Sequence, residues 1–433
     1  MAQTTPGWLR ASTIYCVYVR SYGPNGTLRE VEADLDRIQA LGADILWLLP
    51  ICPVGTVNRL GTMGSPYSIR DYRAVAPEYG TMEDFQSLCA ALHARGMRCM
   101  MDIVYNHTAW DSLLFEEHPD WFYRTPEGRL GNRAGAWTDI IDLDYDRPGL
   151  WEYQIETLCR WARLGADGFR CDVASAVPVE FWRAARRAVA QVKPDAVWLA
   201  ESVHGSFVRD LRSRGFYCAS DGELYSAFDV TYDYDIFPRF EAVFEGTGSI
   251  AQYLEALIAQ ESTYPANYLK LHFLENHDQR RAASYLTDPR ARRMWTAFFW
   301  CIKGVGLIYN GQEVLATHTP SLFEREPIDW HCSPEAQEYC ELLRLLTGVK
   351  KLPAAREGLY SLEAVGPDRS TAVVRYEADP RRLYGVFSLS LAQSRVQLPL
   401  ADGVYPNLLG GEVRVEDGML ACGQEPVILS ISD

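Results

Sequence analysis

The sequence predicts a (β/α)8 TIM barrel with a small subdomain inserted after strand three and a C-terminal antiparallel β-sandwich domain. Three observations lead to this fold class. Amphipathic helices that end at glycine are each followed by a short apolar run. Eight such runs can be counted before about residue 310, and after about residue 350 the chain changes to short β-rich runs separated by turns. Strands that alternate with helices favour parallel strands joined by right-handed crossovers.

The first helices show the stop signals most clearly. Gly42 follows a stretch, 28–41, whose apolar residues recur at helical spacing. Thr81 is the predicted N-cap of the next helix because Asp84 stands three residues later, and Gly96 ends that helix. Gly165 ends the third. The predicted barrel strands are residues 14–19, 45–49, 98–104, 168–171, 197–200, 228–231, 269–274 and 306–309.

Three units are predicted along the chain. The catalytic barrel comprises residues 1–107 and 147–348, and the subdomain on the loop after strand three comprises residues 108–146. Residues 349–433 form the predicted β-sandwich. The subdomain is rich in aromatic and turn residues. Its candidates for contacts with a flat ligand are Trp110, Trp121, Phe122, Tyr123 and Trp137.

Composition and charge limit the classes of partner and the cellular compartment that the sequence predicts. The net charge of −15 and the lack of a Lys/Arg-rich run argue against nucleic acid and anionic membranes. The start of the chain has no secretory signal pattern, no apolar run is long enough to span a bilayer, and the 11 cysteines contain no C-x-x-C pair. These features predict a cytoplasmic protein with reduced cysteines, whereas its oligomeric state stays open.

Polar side chains follow four of the predicted strands, at the end of a barrel where active sites lie. Carboxylates predominate there, and no phosphate-binding loop accompanies them, which suits acetal chemistry. They are Asp102, Asn106, His107, Arg170, Asp172, Glu201, Glu275, Asn276, His277 and Asp278.

Glycoside hydrolysis with retention of configuration needs a carboxylate nucleophile and a second carboxyl group as acid and base. Arg170, two residues before Asp172, would keep the nucleophile ionised, and the crowded negative charge would raise the pKa of the acid. A catalytic metal is the rival interpretation. No H-x-x-x-H or H-E-x-x-H pair is present and His107 and His277 lie on different strands, so no metal is predicted.

Four segments resemble, in order, the four signature regions of the α-amylase superfamily of retaining glycoside hydrolases, glycoside hydrolase family thirteen. They are DIVYNH (102–107), GFRCDVAS (168–175), LAES (199–202) and FLENHD (273–278). Further matches are SPYSIRDY (65–72), GTMEDF (80–85), IDLDYDRP (141–148) and GLIYNGQE (306–313). The resemblance covers about residues 14–313, and the β-rich tail is similar to the C-terminal domain of that superfamily.

The resemblance implies a role for each matching residue. Asp172 corresponds to the nucleophile, Glu201 to the general acid and base, and Asp278 to a third carboxylate that grips sugar hydroxyls. The residues that resemble substrate contacts are Tyr67, His107, Arg170 and His277. The implied activity is retaining hydrolysis of α-1,4-glucosidic bonds in maltooligosaccharides, neutral α-glucan substrates, with no cofactor required.

Departures from the family pattern leave alternatives open. Ser175 and Ala176 stand where many starch-degrading members carry Lys-His, and a structural calcium site is signalled only in part, by Asn106 and Asp142. Ser68 disfavours an exo-acting α-glucosidase. The remaining alternatives are an α-glucan transglycosylase and a cyclomaltodextrinase- or neopullulanase-like activity. A non-catalytic amylase-like binding protein is disfavoured because all three carboxylates are present.

Overall fold

The structure is a computed structural model that describes residues 5–432. Its strands are β1 Thr13–Val17, β2 Ile45–Leu48, β3 Arg98–Ile103, β4 His107–Ala109, β5 Ile140–Asp142, β6 Gly168–Cys171, β7 Val197–Ala200, β8 Val230–Tyr232, β9 Lys270–His272, β10 Gly304–Tyr309, β11 Leu359–Val365, β12 Thr371–Ala378, β13 Arg381–Ser388, β14 Ser394–Gln397, β15 Gly403–Pro406, β16 Glu412–Glu416, β17 Met419–Cys422 and β18 Val427–Ser432. Eight parallel strands close into a barrel in the order β1-β10-β9-β8-β7-β6-β3-β2. The predicted barrel is confirmed.

Helices surround the barrel strands and connect them. The α-helices are α1 Val19–Tyr22, α2 Leu28–Ala33, α3 Leu35–Ala40, α4 Met82–Ala94, α5 Leu113–Glu117, α6 Leu150–Leu164, α7 Val179–Val189, α8 Gly205–Ser213, α9 Asp221–Leu224, α10 Phe237–Phe244, α11 Ile250–Thr263, α12 Ala282–Tyr285, α13 Pro289–Cys301, α14 Pro334–Lys350 and α15 Pro353–Glu357. Short 3-10 helices span Gly7–Ala11, Pro119–Trp121 and Ala174–Ala176. No helix among the described residues is long and apolar enough to cross a membrane.

Two elements near the start of the chain differ from the prediction. The first strand ends at Val17 because the backbone N–H of Tyr18 donates to the side-chain oxygen of Asn310, at 2.9 Å, instead of continuing the ladder. The helix predicted over 28–41 is divided into α2 and α3 at Asp34. The carboxylate of Asp34 accepts hydrogen bonds from Tyr22 and Arg37, at 2.5 and 2.8 Å, which places it at the junction of the two helices.

The predicted N-cap at Thr81 and the three predicted glycine stops are confirmed by the structure. Thr81 and Asp84 form a reciprocal capping box at the start of α4. Gly42, Gly96 and Gly165 all follow helices with positive φ, at 86°, 71° and 125°. Each glycine therefore turns the chain from a helix toward the next barrel strand.

Beyond β3, the antiparallel pair β4 and β5 forms a two-stranded sheet within the segment predicted as a subdomain. At the C-terminal end, two four-stranded antiparallel sheets have the orders β11-β12-β13-β18 and β14-β17-β16-β15. Residues from both sheets, such as Val386 and Leu420, share one buried apolar cluster, so the predicted sandwich is confirmed. Its first sheet also packs on the barrel, where the rings of Phe387 and Phe298 lie 5.7 Å apart.

Candidate active site

Two carboxylates emerge side by side at the C-terminal rim of the barrel. Cys171 and Ala200 are paired in register on the neighbouring strands β6 and β7. Asp172 and Glu201 are the next residues on these strands. Because neighbouring strands lie about 4.8 Å apart, the register brings the two carboxylates to adjacent positions.

One guanidinium group joins these carboxylates. Arg170 is fully buried, and its Nη1 donates hydrogen bonds to Oδ1 of Asp172 at 2.9 Å and to Oδ1 of Asp102 at 2.8 Å. Its Nη2 lies 3.0 Å from Oε1 of Glu201. Charge-assisted contacts of this kind both orient carboxylates and offset the cost of burying them.

Aromatic rings enclose the same guanidinium. The Cζ atom of Arg170 lies 5.4 Å from the ring centres of Trp47 and Tyr232 and 5.6 Å from that of Tyr67. The Nε atom donates to the hydroxyl of Tyr232 at 3.2 Å, and Trp47 Nε1 donates to the far oxygen of Asp102 at the same distance. Arg170 therefore has little freedom to move.

Burial and neighbouring charges act in opposite directions on the carboxyl group of Asp172. Burial and the nearby charge of Glu201 raise the pKa of Asp172, whereas Arg170 lowers it. The stabilising effect expected from Arg170 is present, but burial and the charge of Glu201 outweigh it. The other oxygen of Glu201 accepts a hydrogen bond from the backbone of Val173 at 2.7 Å. One arginine and one backbone N–H thus orient Glu201.

Two histidines, a tyrosine and a third carboxylate lie close to this carboxylate pair. Nε2 of His107 lies 3.9 Å from Oδ2 of Asp172, and Nε2 of His277 lies 3.1 Å from Oδ2 of Asp278. The Tyr67 ring stacks on His277, with its hydroxyl 2.7 Å from Nε2. Burial lowers the pKa of His107 to about 4 and that of His277 to about 3. Both rings are therefore neutral near pH 7.

These residues surround a cleft of about 410 Å³. Five of the seven predicted catalytic and substrate-binding residues line it directly: Tyr67, His107, Asp172, Glu201 and Asp278. The side chains of Arg170 and His277 are fully buried and contact residues of this lining. The cleft is mostly apolar between its carboxylates, which suits a neutral ring-shaped ligand.

Some sequence-predicted residues lie elsewhere. Glu275 is buried against Arg281, at 2.6 Å, and does not line the cleft. Of the five aromatic candidates in the subdomain, Trp137 alone lines it. Trp121 and Phe122 are instead buried in the hydrophobic cluster that the subdomain shares with the barrel.

The sequence reasoning missed several aromatic lining residues. His204, Phe207 and Tyr234 line the cleft, and the ring of Phe207 stacks on Trp137 with their centres 6.1 Å apart. His204 and Phe207 follow Glu201 by three and six residues, so their place after a barrel strand was a usable signal. Leu60 and Phe323 come from long loops that carry no such signal.

The residues that resemble calcium ligands do not fit that ion. The carboxylate of Asp142 accepts hydrogen bonds from the backbone N–H of Arg133 at 2.7 Å and from its guanidinium at 3.3 Å. Asn106 directs its amide Nδ2, a donor, toward the other oxygen of Asp142 at 3.5 Å. Within residues 5–432, no group of three or more His, Cys, Asp or Glu side chains could hold a metal ion.

Comparison with known families identifies the class. The family model for the α-amylase catalytic domain matches residues 7–343, and the model for the bacterial α-amylase C-terminal domain matches residues 363–429. The chain therefore belongs to the α-amylase family and is a glycoside hydrolase of that type.

Several individual proteins are similar to this chain. A crystal structure of an α-amylase from Lactobacillus plantarum is 44% identical with a TM-score of 0.94, covering 98% of this chain and 100% of that one. The noncanonic maltogenic α-amylase AmyB from Thermotoga neapolitana is 31% identical with a TM-score of 0.87, covering 98% and 99%. The intracellular maltogenic amylase of Bacillus subtilis is 25% identical over 75% of this chain and 55% of its own length. Across eight curated relatives, the match spans 26–70% of the relative.

Proposed function

We propose that the protein hydrolyses α-1,4-glucosidic bonds in maltooligosaccharides and other starch-derived glucans, with retention of configuration at the anomeric carbon. The observation that carries this proposal is the single buried guanidinium of Arg170 in contact with both Asp172 and Glu201. Retention requires two carboxyl groups close together across one glycosidic bond, whereas inversion leaves room between them for a water molecule.

In the first step, a carboxylate oxygen of Asp172 attacks C1 of the sugar while the bond from C1 to the glycosidic oxygen breaks. Glu201 donates its proton to that oxygen, and the shortened glucan leaves. In the second step, Glu201 takes a proton from water, and the resulting hydroxide displaces Asp172 from C1. Arg170 orients both groups and disperses the negative charge that would otherwise accumulate between them.

The other lining residues position the sugar ring. Asp278 has a side chain that is 38% exposed at the opening, so its oxygens can accept hydrogen bonds from sugar hydroxyls. Tyr67 offers an aromatic face to the ring at the cleavage point. His107 lines the cleft, and the buried His277 contacts Tyr67 and Asp278; both are neutral, so neither adds a second cation beside Arg170.

The proposal also covers the preferred glucan substrate and the molecule that accepts the glycosyl group. Similarity to maltogenic amylases favours short maltodextrins, and similarity to an intracellular one favours action in the cytoplasm. Transfer to another sugar is the second candidate, because a sugar hydroxyl can replace water against the same covalent intermediate. The aromatic pair Trp137 and Phe207 beside Glu201 favours it, since such faces can hold an acceptor sugar.

The test is a time course on maltoheptaose, β-cyclodextrin and pullulan, with proton NMR of the first product formed. Retention predicts the α-anomer before mutarotation, and a first product that is β would contradict the proposal. Products longer than the starting sugar would assign transfer as the dominant outcome. Attack on β-cyclodextrin would assign a cyclomaltodextrinase-like preference.

A further inference from the structure

We infer that the guanidinium of Arg133 is the cation that pairs with the buried carboxylate of Asp142 inside the inserted subdomain, in the position that the family resemblance gives to calcium. The subdomain then needs no metal ion for its stability. This inference concerns how the cleft is held together and does not depend on which bond the enzyme cleaves.

The contacts of Arg133 all lie within the inserted subdomain. Its backbone N–H and its Nη1 both donate to Oδ2 of Asp142 on β5, and Nη1 also donates to the carbonyl of Leu143 at 3.0 Å. Asp142 is 1% exposed. The aromatic face of Tyr123 covers the guanidinium, with the Cζ atom 4.5 Å from the ring centre.

Charge balance explains why a second cation is excluded. An isolated carboxylate at the depth of Asp142 would be costly, and one well-placed cation with additional hydrogen bonds offsets that cost. Arg133 supplies both in part: its charge and its hydrogen bonds lower the pKa of Asp142, although burial still raises that pKa to about 6. A calcium ion would need at least six oxygen ligands at about 2.3–2.6 Å and would meet the positive guanidinium at the same oxygen.

Asp142 is connected to the cleft through the side chain of Asn106 and through the pairing of β4 with β5. Nδ2 of Asn106 lies 3.1 Å from Nδ1 of His107 and 3.5 Å from Oδ1 of Asp142. His107 and Asp142 are also paired in register on β4 and β5. Arg133 is therefore a positioning residue for His107, acting through Asp142 and the two-stranded sheet.

The first experiment measures the Tm of the wild-type protein after chelation with EDTA and after addition of millimolar CaCl2, together with calcium titration calorimetry. We expect equal Tm values in both conditions and no binding heat. A Tm that falls by several degrees in EDTA, or a measurable calcium affinity, would overturn the inference.

The second experiment compares Arg133→Ala with Arg129→Ala, a control at an exposed arginine of the same segment that has a single long contact with Glu127, at 3.9 Å. We expect R133A alone to lose several degrees of Tm, because the buried carboxylate of Asp142 then lacks its cation. Equal Tm values for R133A and wild type would contradict the inference.

A third variant keeps the inference testable if R133A does not fold. Arg133→Lys retains the charge but loses the planar fork, so its Tm should lie between those of wild type and a neutral variant such as Arg133→Gln. The R133K enzyme should also raise KM more than it lowers kcat, because His107 shifts while the carboxylates stay in place. Unchanged KM and Tm in R133K would count against the positioning role.

Discussion

At the scale of single residues, Arg170 holds the carboxylates of the site in place. Its side chain is fully buried, yet it contacts three carboxylates from three neighbouring strands, Asp102, Asp172 and Glu201. Burial raises the pKa of Asp102 to about 7 against the opposing effect of Arg170. A guanidinium is suited to this task because it stays charged and presents several donors in one plane.

The carboxylate roles are tested by Asp172→Asn and Glu201→Gln. Each change keeps the shape of the side chain but removes the nucleophile or the proton donor. We expect kcat/KM on maltoheptaose to fall by about 10³-fold or more in each variant, with little change in Tm. The control is Asp146→Asn at an exposed carboxylate outside the cleft, which should keep wild-type activity. Near-wild-type turnover in either site variant would refute the assigned role.

The buried histidines predict a loss of stability in acid. An unfolded histidine binds a proton below about pH 6.5, whereas folded His107 and His277 do so near pH 4 and 3. Between pH 6.5 and 4 the unfolded chain therefore binds more protons, and the free energy of unfolding falls as the pH falls. His277→Gln should show a smaller drop in Tm between pH 7 and pH 5 than wild type. Equal drops would show that His277 does not contribute.

At the scale of elements, the glycine stops were predictable because a helix can end at any left-handed residue, and glycine adopts that conformation without strain. What surrounds each glycine was not predictable. A Cβ on Gly165 would lie 2.7 Å from the Cβ of Cys89, whereas one on Gly96 would have no neighbour within 4 Å. The two glycines look alike in the sequence but differ in packing and in φ, which is 71° at Gly96 and 125° at Gly165.

Alanine substitutions at Gly96 and Gly165 form a matched pair that tests this difference. Gly96→Ala should cost about 1 kcal/mol through its positive φ alone. Gly165→Ala combines a positive φ with overlap against α4 and should lower Tm clearly more. Thermal unfolding of both variants by circular dichroism provides the measurement. A similar Tm for the two variants would contradict the packing argument.

The carboxylates of the site could be predicted from the sequence once the barrel fold was recognised. Strand ends in a closed parallel barrel converge on one rim, so Asp172, Glu201 and Asp278 were predictable from local patterns. Phe323 was not, because it reaches the cleft from a loop whose path depends on tertiary contacts. The cation beside Asp142 was also missed, because Arg133 lies outside the recognised motifs, eight residues before the segment 141–148.

At the scale of the whole molecule, the β-sandwich and the barrel share buried surface. Phe387 of β13 is fully buried and packs on Phe298 of α13, and Tyr376 of β12 donates to the carbonyl of Cys301 at 3.0 Å. Residues of the first sheet therefore belong to the same apolar cluster as the barrel. The sequence indicated a second unit but gave no indication of how firmly it is attached.

Phe387→Ala tests that attachment. Truncation of a fully buried phenylalanine costs about 3–5 kcal/mol when the cavity cannot collapse, so Tm should fall by several degrees. If the two units are held together as described, calorimetry of the wild type should give a single transition, and the variant should shift that transition as a whole. A sandwich that melts separately in the wild-type protein would contradict this description.

The most direct test of the central claim traps the covalent intermediate. Glu201→Gln is incubated with α-maltosyl fluoride, whose fluoride leaves C1 without a proton donor, so the first step proceeds while the second lacks its base. We predict that mass spectrometry of the intact protein shows the added mass of one maltosyl group, and that peptide mapping places it on Asp172. An adduct on another residue, or fluoride release that continues without any adduct, would contradict retaining catalysis by Asp172.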